Sequence, residues 1–154
     1  MPEFQLVGRT EPTFTRLDSF TRGYIEALFF CETEPTTDRE THDPEKECEG
    51  QISALPGDAG VSDLTPRLLR EIKEHCAAFQ RDNGPALARA YVRPGYDPEQ
   101  AGRDFWFTRN GHGVGYWDRE QLEAAGLGEQ LSEAARKFGQ FDVFWNYEEH
   151  TVEG

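Results

Sequence analysis

The chain has 154 residues, with 29 acidic side chains against 16 basic ones and a formal net charge of −13. That length suits one domain with a substantial apolar core. The composition excludes a broadly basic protein that neutralises many phosphates, and no run approaches the ~20 consecutive apolar residues of a membrane span.

Met1-Pro2-Glu3-Phe4 has neither a basic nor an apolar leader segment, so no secretory signal is expected. Residues 4–7 read as a short strand. From about 17 to 31, Leu17, Phe20, Tyr24 and Leu28 recur at helical steps, with Ile25 and Phe29 widening the stripe and Asp18 or Ser19 placed as cap. Gly23 weakens that helix. Residues 32–63 hold ten acids against only Arg39 and Lys46, which is −8 of the −13, and prolines and glycines interrupt any periodicity. This stretch reads as an acidic, partly flexible insertion.

The clearest helix follows. Thr65 is placed as N-cap with Pro66 at the first helical position, Leu64 and Leu69 are set for a hydrophobic staple, and Leu68, Ile72, Cys76 and Phe79 form the inner stripe. Asn83-Gly84-Pro85 stops it, another turn or two follows over 86–91, and Asp97-Pro98 starts a short helical turn. Two aromatic runs, 104–109 and 113–117, then flank Asn110-Gly111. Asn-Gly between such runs is a strong hairpin signal, because a type I′ turn needs positive φ at both central residues. Asp118 is placed to cap a C-terminal helix, with Gln121 in the capping-box position. Gly126 and Gly128 weaken that helix, it is firm from Glu129 to Phe138 and ends at Gly139, and 141–147 reads as a third strand followed by an acidic tail. The expected fold is therefore one α+β domain over 1–154, with N-terminal helices and a C-terminal helix packed on a small antiparallel sheet made of the 104–117 hairpin and 141–147.

Three widely spaced cysteines, Cys31, Cys48 and Cys76, suit reduced thiols better than a disulfide framework. Cys31 and Cys76 read as core, and Cys48 lies between Glu47 and Glu49, whose charges disfavour a thiolate. The histidines and cysteines are scattered without metal-ligand spacing. Gly111-His112-Gly113-Val114-Gly115 does not open a helix as a dinucleotide loop must, so no catalytic residue, metal or cofactor is assigned. Asp104, Arg109, His112, Tyr116 and Trp117 cluster around the expected turn and are the candidate residues for an acid–base or small-molecule pocket.

Three segments carry a resemblance: 20–30, Cys76-Ala77-Ala78-Phe79, and above all the run from Ala101 to Arg119, which contains Asp104-Phe105-Trp106-Phe107-Thr108-Arg109-Asn110-Gly111-His112-Gly113. With these the chain resembles a family of small tailed-phage and prophage proteins sharing a DFWxTRNGHGxGxWDR motif. The resemblance implies a phage product acting in the bacterial host cytoplasm, and it carries over no catalytic residue. Acidic proteins can imitate the field of DNA, which bears one charge per ~1.7 Å of axis. The leading expectation is a non-enzymatic binder of a basic surface on a host or defence protein, without direct nucleic-acid or membrane binding. The expected contacts are Glu40, Asp43, Glu45, Glu47 and Glu49 in the insertion and Glu148, Glu149 and Glu153 in the tail. A small enzyme or metabolite binder at the aromatic hairpin, and a scaffolding protein, are the alternatives, and the sequence leaves the oligomeric state open.

Overall fold

The structure is a computed structural model that describes residues 6–34, 38, 40 and 55–154. A single turn, α1 (Pro12–Thr15), leads into α2 (Ser19–Glu32), where the Thr21 N–H donates to the Asp18 carboxylate at 3.1 Å. Of the two cap candidates, Asp18 performs the role. Two short strands, β1 (Thr33–Glu34) and β2 (Leu55–Pro56), pair in parallel and join the two ends of the acidic insertion. Glu40 is exposed, whereas Asp43, Glu45, Glu47 and Glu49 lie outside the described residues.

The next helix, α3 (Pro66–Asp82), starts where the sequence indicates. The Thr65 hydroxyl accepts the Leu68 N–H at 3.1 Å, and Leu68, Ile72, Cys76 and Phe79 are the buried stripe. Such a cap is worth about 1 kcal/mol. After α3 come α4 (Gly84–Tyr91), α5 (Pro98–Arg109), three consecutive 3-10 turns between Tyr116 and Gly126, and α6 (Leu127–Arg136). The chain closes with an antiparallel pair, β3 (Phe144–Asn146) and β4 (Thr151–Glu153). The architecture is α+β, and its core is a helix-on-helix contact rather than helices on a sheet.

That contact is the crossing of α2 and α5, which touch backbone to backbone. A Cβ built on Gly102 would lie 1.8 Å from the Phe20 carbonyl oxygen, and one on Gly23 2.0 Å from that of Glu99. The glycine that lowers the helix propensity of α2 is therefore what lets α5 approach. The close approach brings Tyr24 within 5.4 Å, centroid to centroid, of both Phe105 and Trp106. From α3, Phe79 stacks on Phe105 at 4.4 Å. At the margins of the crossing, Arg22 pairs with Glu99 and Arg103 with Glu26.

The expected hairpin over 104–117 does not form: Asp104 to Arg109 are the second half of α5. Two local signals decide this. Asp97 caps the helix by accepting the Gln100 N–H at 2.8 Å, with Pro98 at the first helical position, so the chain enters this run already helical. At the other end Gly111 does take positive φ (+70°), but as a helix terminator. The Gly111 N–H bonds the Thr108 carbonyl and the His112 N–H the Phe107 carbonyl, which is the Schellman pattern. Asn-Gly here ends a helix instead of turning a hairpin. The aromatics do not alternate between a wet and a dry face, because α5 is buried on most sides, with Ala101, Asp104, Phe105, Trp106, Thr108 and Arg109 all inside.

The strand expected over 141–147 contracts to Phe144–Asn146, and its partner is the segment read as an acidic tail. The Glu148 and Glu149 N–H groups both donate to Asn146 Oδ1 at 3.0 Å, forming the turn, and Val152 is fully buried opposite Trp145. Glu153 is half-buried and accepts a hydrogen bond from Asn146 Nδ2, so it is a strand residue and not a free tail charge.

Gly102→Ala should force the two helices apart and destabilise the protein by about 3 kcal/mol or more in a denaturant titration. Gly23→Ala should behave alike. Gly111→Ala meets no atom within 4 Å and should cost only about 1–2 kcal/mol, the left-handed backbone penalty.

Candidate functional site

Two buried polar clusters and one exposed acidic stretch hold Asp104, Arg109, Tyr116 and Trp117, four of the residues singled out in the sequence. The first cluster is centred on Arg109, which is only 4% exposed. Its Nε donates to the Gly139 carbonyl at 2.9 Å and its Nη2 to the Phe138 carbonyl at 3.1 Å, just past the end of α6. Its Nη1 reaches Tyr24 Oη on α2 and His75 Nδ1 on α3, both at 3.1 Å. The rings of Phe105, Phe138 and Phe141 surround the guanidinium carbon at 5.0–5.6 Å. Its charge is thus met by carbonyl dipoles and aromatic faces, and the side chain ties together α5, α2, α3 and the chain after α6.

A guanidinium only donates, so His75 Nδ1 must be the acceptor and the ring must be neutral. Burial and then the adjacent Arg109 charge hold His75 below its ordinary value of 6.5, against the opposing pull of Glu71 and Glu74.

The second cluster is centred on Asp104, which is fully buried. Arg119 grips it through Nε at 3.1 Å and Nη2 at 2.7 Å, Tyr96 Oη donates at 2.9 Å, and Gln100 Nε2 donates at 3.1 Å. Tyr116 belongs to the same side of the fold. Its hydroxyl donates to the Ala101 carbonyl at 2.6 Å, and its N–H donates to Thr108 Oγ1 at 3.2 Å. These bonds lay the chain after α5 back along the helix and present Arg119 to Asp104.

Asp104 and Arg109 therefore serve different clusters. His112 stands apart from both, half-buried, with its ring edge-on to Phe107 at 6.0 Å and burial holding its pKa below the ordinary value. Trp117 is 45% exposed. The five residues proposed for one pocket are thus split between core, turn and surface. The sequence reading missed Asn110, His75 and Tyr96 as structural partners. Asn110 donates to the Trp106 carbonyl and accepts the Phe141 N–H at 2.8 Å. Cap-forming Asn next to Gly was the available signal for Asn110, whereas the other two are set by tertiary contacts.

The exposed surface comprises Trp117 and the stretch that follows it. Asp118, Glu120, Glu123, Glu129 and Glu133 are all exposed there, and the stretch's one cation, Arg119, is committed to Asp104. Gly128 of α6 packs over the Tyr116 carbonyl and the Trp117 Cα, so the start of α6 lies against the backbone that carries the tryptophan. Glu148 and Glu149 are also exposed, at the β3–β4 turn. Among the described residues no group of three or more His, Cys, Asp or Glu is placed to hold a metal ion, and no helix is long and apolar enough to cross a membrane. Burial, above all, pushes the Cys31 thiol up to about 11, in keeping with a packing role.

Arg119→Ala leaves the Asp104 carboxylate buried without its cation and should cost about 3–5 kcal/mol. His112→Ala should change stability by less than about 0.5 kcal/mol in the same assay.

Because the folded-state pKa of His75 is depressed, its stabilising contribution is complete above the ordinary value and is lost as pH falls through the folded value. Melting temperatures between about pH 7.5 and 5 should therefore fall more steeply for the wild type than for His75→Gln, which keeps an acceptor but cannot be protonated. Set against known proteins, the chain has no significant match to a family model, to a curated protein or to a solved structure.

Proposed function

We propose that this protein is a non-enzymatic acidic binder that covers the basic, nucleic-acid-contacting surface of a bacterial host or defence protein in the host cytoplasm. The observation that carries this reading is the stretch after α5. Five exposed carboxylates follow a half-exposed tryptophan there, and the neighbouring arginine is withdrawn into Asp104.

Each feature has a physical use in binding. The carboxylates offer a cationic partner an excess of negative charge, which speeds encounter and sets register. Trp117 offers a flat apolar anchor of the kind that dominates interface energetics, and its face suits an arginine guanidinium. The turn bearing Glu148 and Glu149 supplies a second, smaller acidic group, held in place by Asn146. The net charge of −13 favours the same kind of partner at long range. The phage resemblance supports the bacterial setting. Asp104, Arg109 and Tyr116, the buried members of the alternative pocket, are each bonded into the framework, and this favours binding over acid–base chemistry at that place.

The test is capture of a partner from bacterial lysate with the wild type and three variants: Trp117→Ala, the triple reversal Asp118→Lys, Glu120→Lys and Glu123→Lys, and the pair Glu148→Lys and Glu149→Lys. The captured protein should be basic, should elute as salt rises through about 0.1 M, where the Debye length is ~10 Å, and should be displaced by duplex DNA. The triple reversal and Trp117→Ala should each weaken capture by about tenfold or more. The triple reversal should leave the melting temperature unchanged, and Trp117→Ala, which removes a half-buried ring, should lower it while the chain stays folded at the assay temperature. Capture indifferent to salt, to DNA and to every variant would rule the reading out.

A further inference from the structure

A groove of about 530 Å³ opens between α1, the start of α2 and α3. Leu17, Leu69 and Ala77 supply its apolar wall, while Arg16 and Lys73 bring in positive charge from two different elements. Leu69, Lys73 and Ala77 stand four residues apart, forming one line along α3 beside its buried stripe. Among the described residues, neither Arg16 nor Lys73 has an ion-pair partner. The groove's one acid, Asp18, has both oxygens engaged. Oδ1 caps α2, and Oδ2 accepts Gln80 Nε2 at 2.8 Å. Two cations and one carboxylate leave this groove net positive on a chain whose charge is −13.

We propose that this groove binds a small amphipathic monocarboxylate, with its head group between Arg16 and Lys73 and its hydrocarbon body against Leu17, Leu69 and Ala77. The volume lies within the ~300–1,000 Å³ of small-molecule sites. One negative charge neutralises the groove, whereas a dianion would leave excess charge facing Asp18. The planar fork of Arg16 matches a carboxylate with two parallel N–H donors, and Lys73 adds a point charge on a flexible stem. Anions are repelled by the molecule at long range, so selection must happen at contact, where the apolar wall contributes in proportion to the area it covers. None of these residues belongs to the acidic segments assigned to the protein partner, so the two readings stand or fall separately.

Octanoate, acetate and 1-octanol, titrated separately into the isotope-labelled full chain at constant ionic strength, test this through backbone amide shifts. Octanoate should saturate, with shifts concentrated at Thr13, Leu69, Lys73 and Ala77, and should bind at least about tenfold more tightly than acetate or 1-octanol. Arg16→Ala and Lys73→Ala, both exposed and outside the core, should keep the fold and each weaken octanoate about tenfold. Arg136→Ala, an exposed cation at the end of α6, should not change the affinity. The proposal is overturned if 1-octanol binds as well as octanoate, if the shifts spread over the surface without saturating, or if both groove variants bind octanoate like the wild type.

Discussion

The contact between α2 and α5 sets the terms for everything else in this fold. Two helices that meet without side chains between them bring their flanking residues closer than ordinary ridge-and-groove packing allows. Gly23 and Gly102 make that possible, and the aromatics that follow each glycine, Tyr24 and Phe105, consequently pack against one another. The third layer, α3, then has a defined hydrophobic shelf, onto which Phe79 stacks. Arg109 can reach Tyr24 and His75 together only because α5 sits this deep.

The densest part of the sequence, from Ala101 to Arg119, reads in the structure as one continuous construction task. Ala101 supplies the carbonyl for Tyr116, and Gly102 the helix contact. Asp104 waits for Arg119, and Thr108 receives the returning backbone at Tyr116. Arg109 and Asn110 fasten the segment that follows α6, at Phe138, Gly139 and Phe141. A buried guanidinium and a buried carboxylate are costly to desolvate, and each is stable only because every strong polar contact around it is made. Polar residues of this kind resemble an active site in the sequence because the same chemistry that positions substrates also positions backbone.

The amphipathic parts of the fold were legible in advance. The Thr65-Pro66 start and the four-residue inner stripe of α3 follow directly from capping and a period of 3.6. The α2 stripe follows likewise, whereas the helix expected to start at Asp118 begins only at Leu127, after three 3-10 turns, and ends at Arg136. Reading failed at α5 for a definite reason. A helix buried on most of its circumference has no wet face, so the periodic signal disappears and aromatic content alone suggests strand. Asn110-Gly111 then satisfied two motifs at once, and only the hydrogen bonds from Gly111 and His112 distinguish them. The grouping of Asp104 with Tyr96 and Arg119, and of Arg109 with His75, depends on which helix faces which, and spacing along the chain does not encode that. The exposure of Trp117 likewise follows from where α6 docks.

Leu64, which precedes the first turn of α3, forms a bridge with Val152, and the Thr65 N–H donates to the Val152 carbonyl at 3.2 Å. The entrance to the most regular helix in the molecule is therefore fastened by a strand that the ribosome makes far later. During synthesis α3 can coil early on its own local signals, but its amino end stays unlatched until residue 152 has emerged. Contacts of such wide sequence separation form late and slow the search for the native state. Until then the aromatic contacts of Phe79 with Phe105, Tyr116 and Phe138 must hold α3 without the latch at its amino end, and a partly docked helix of this kind exposes apolar surface to chaperones and proteases.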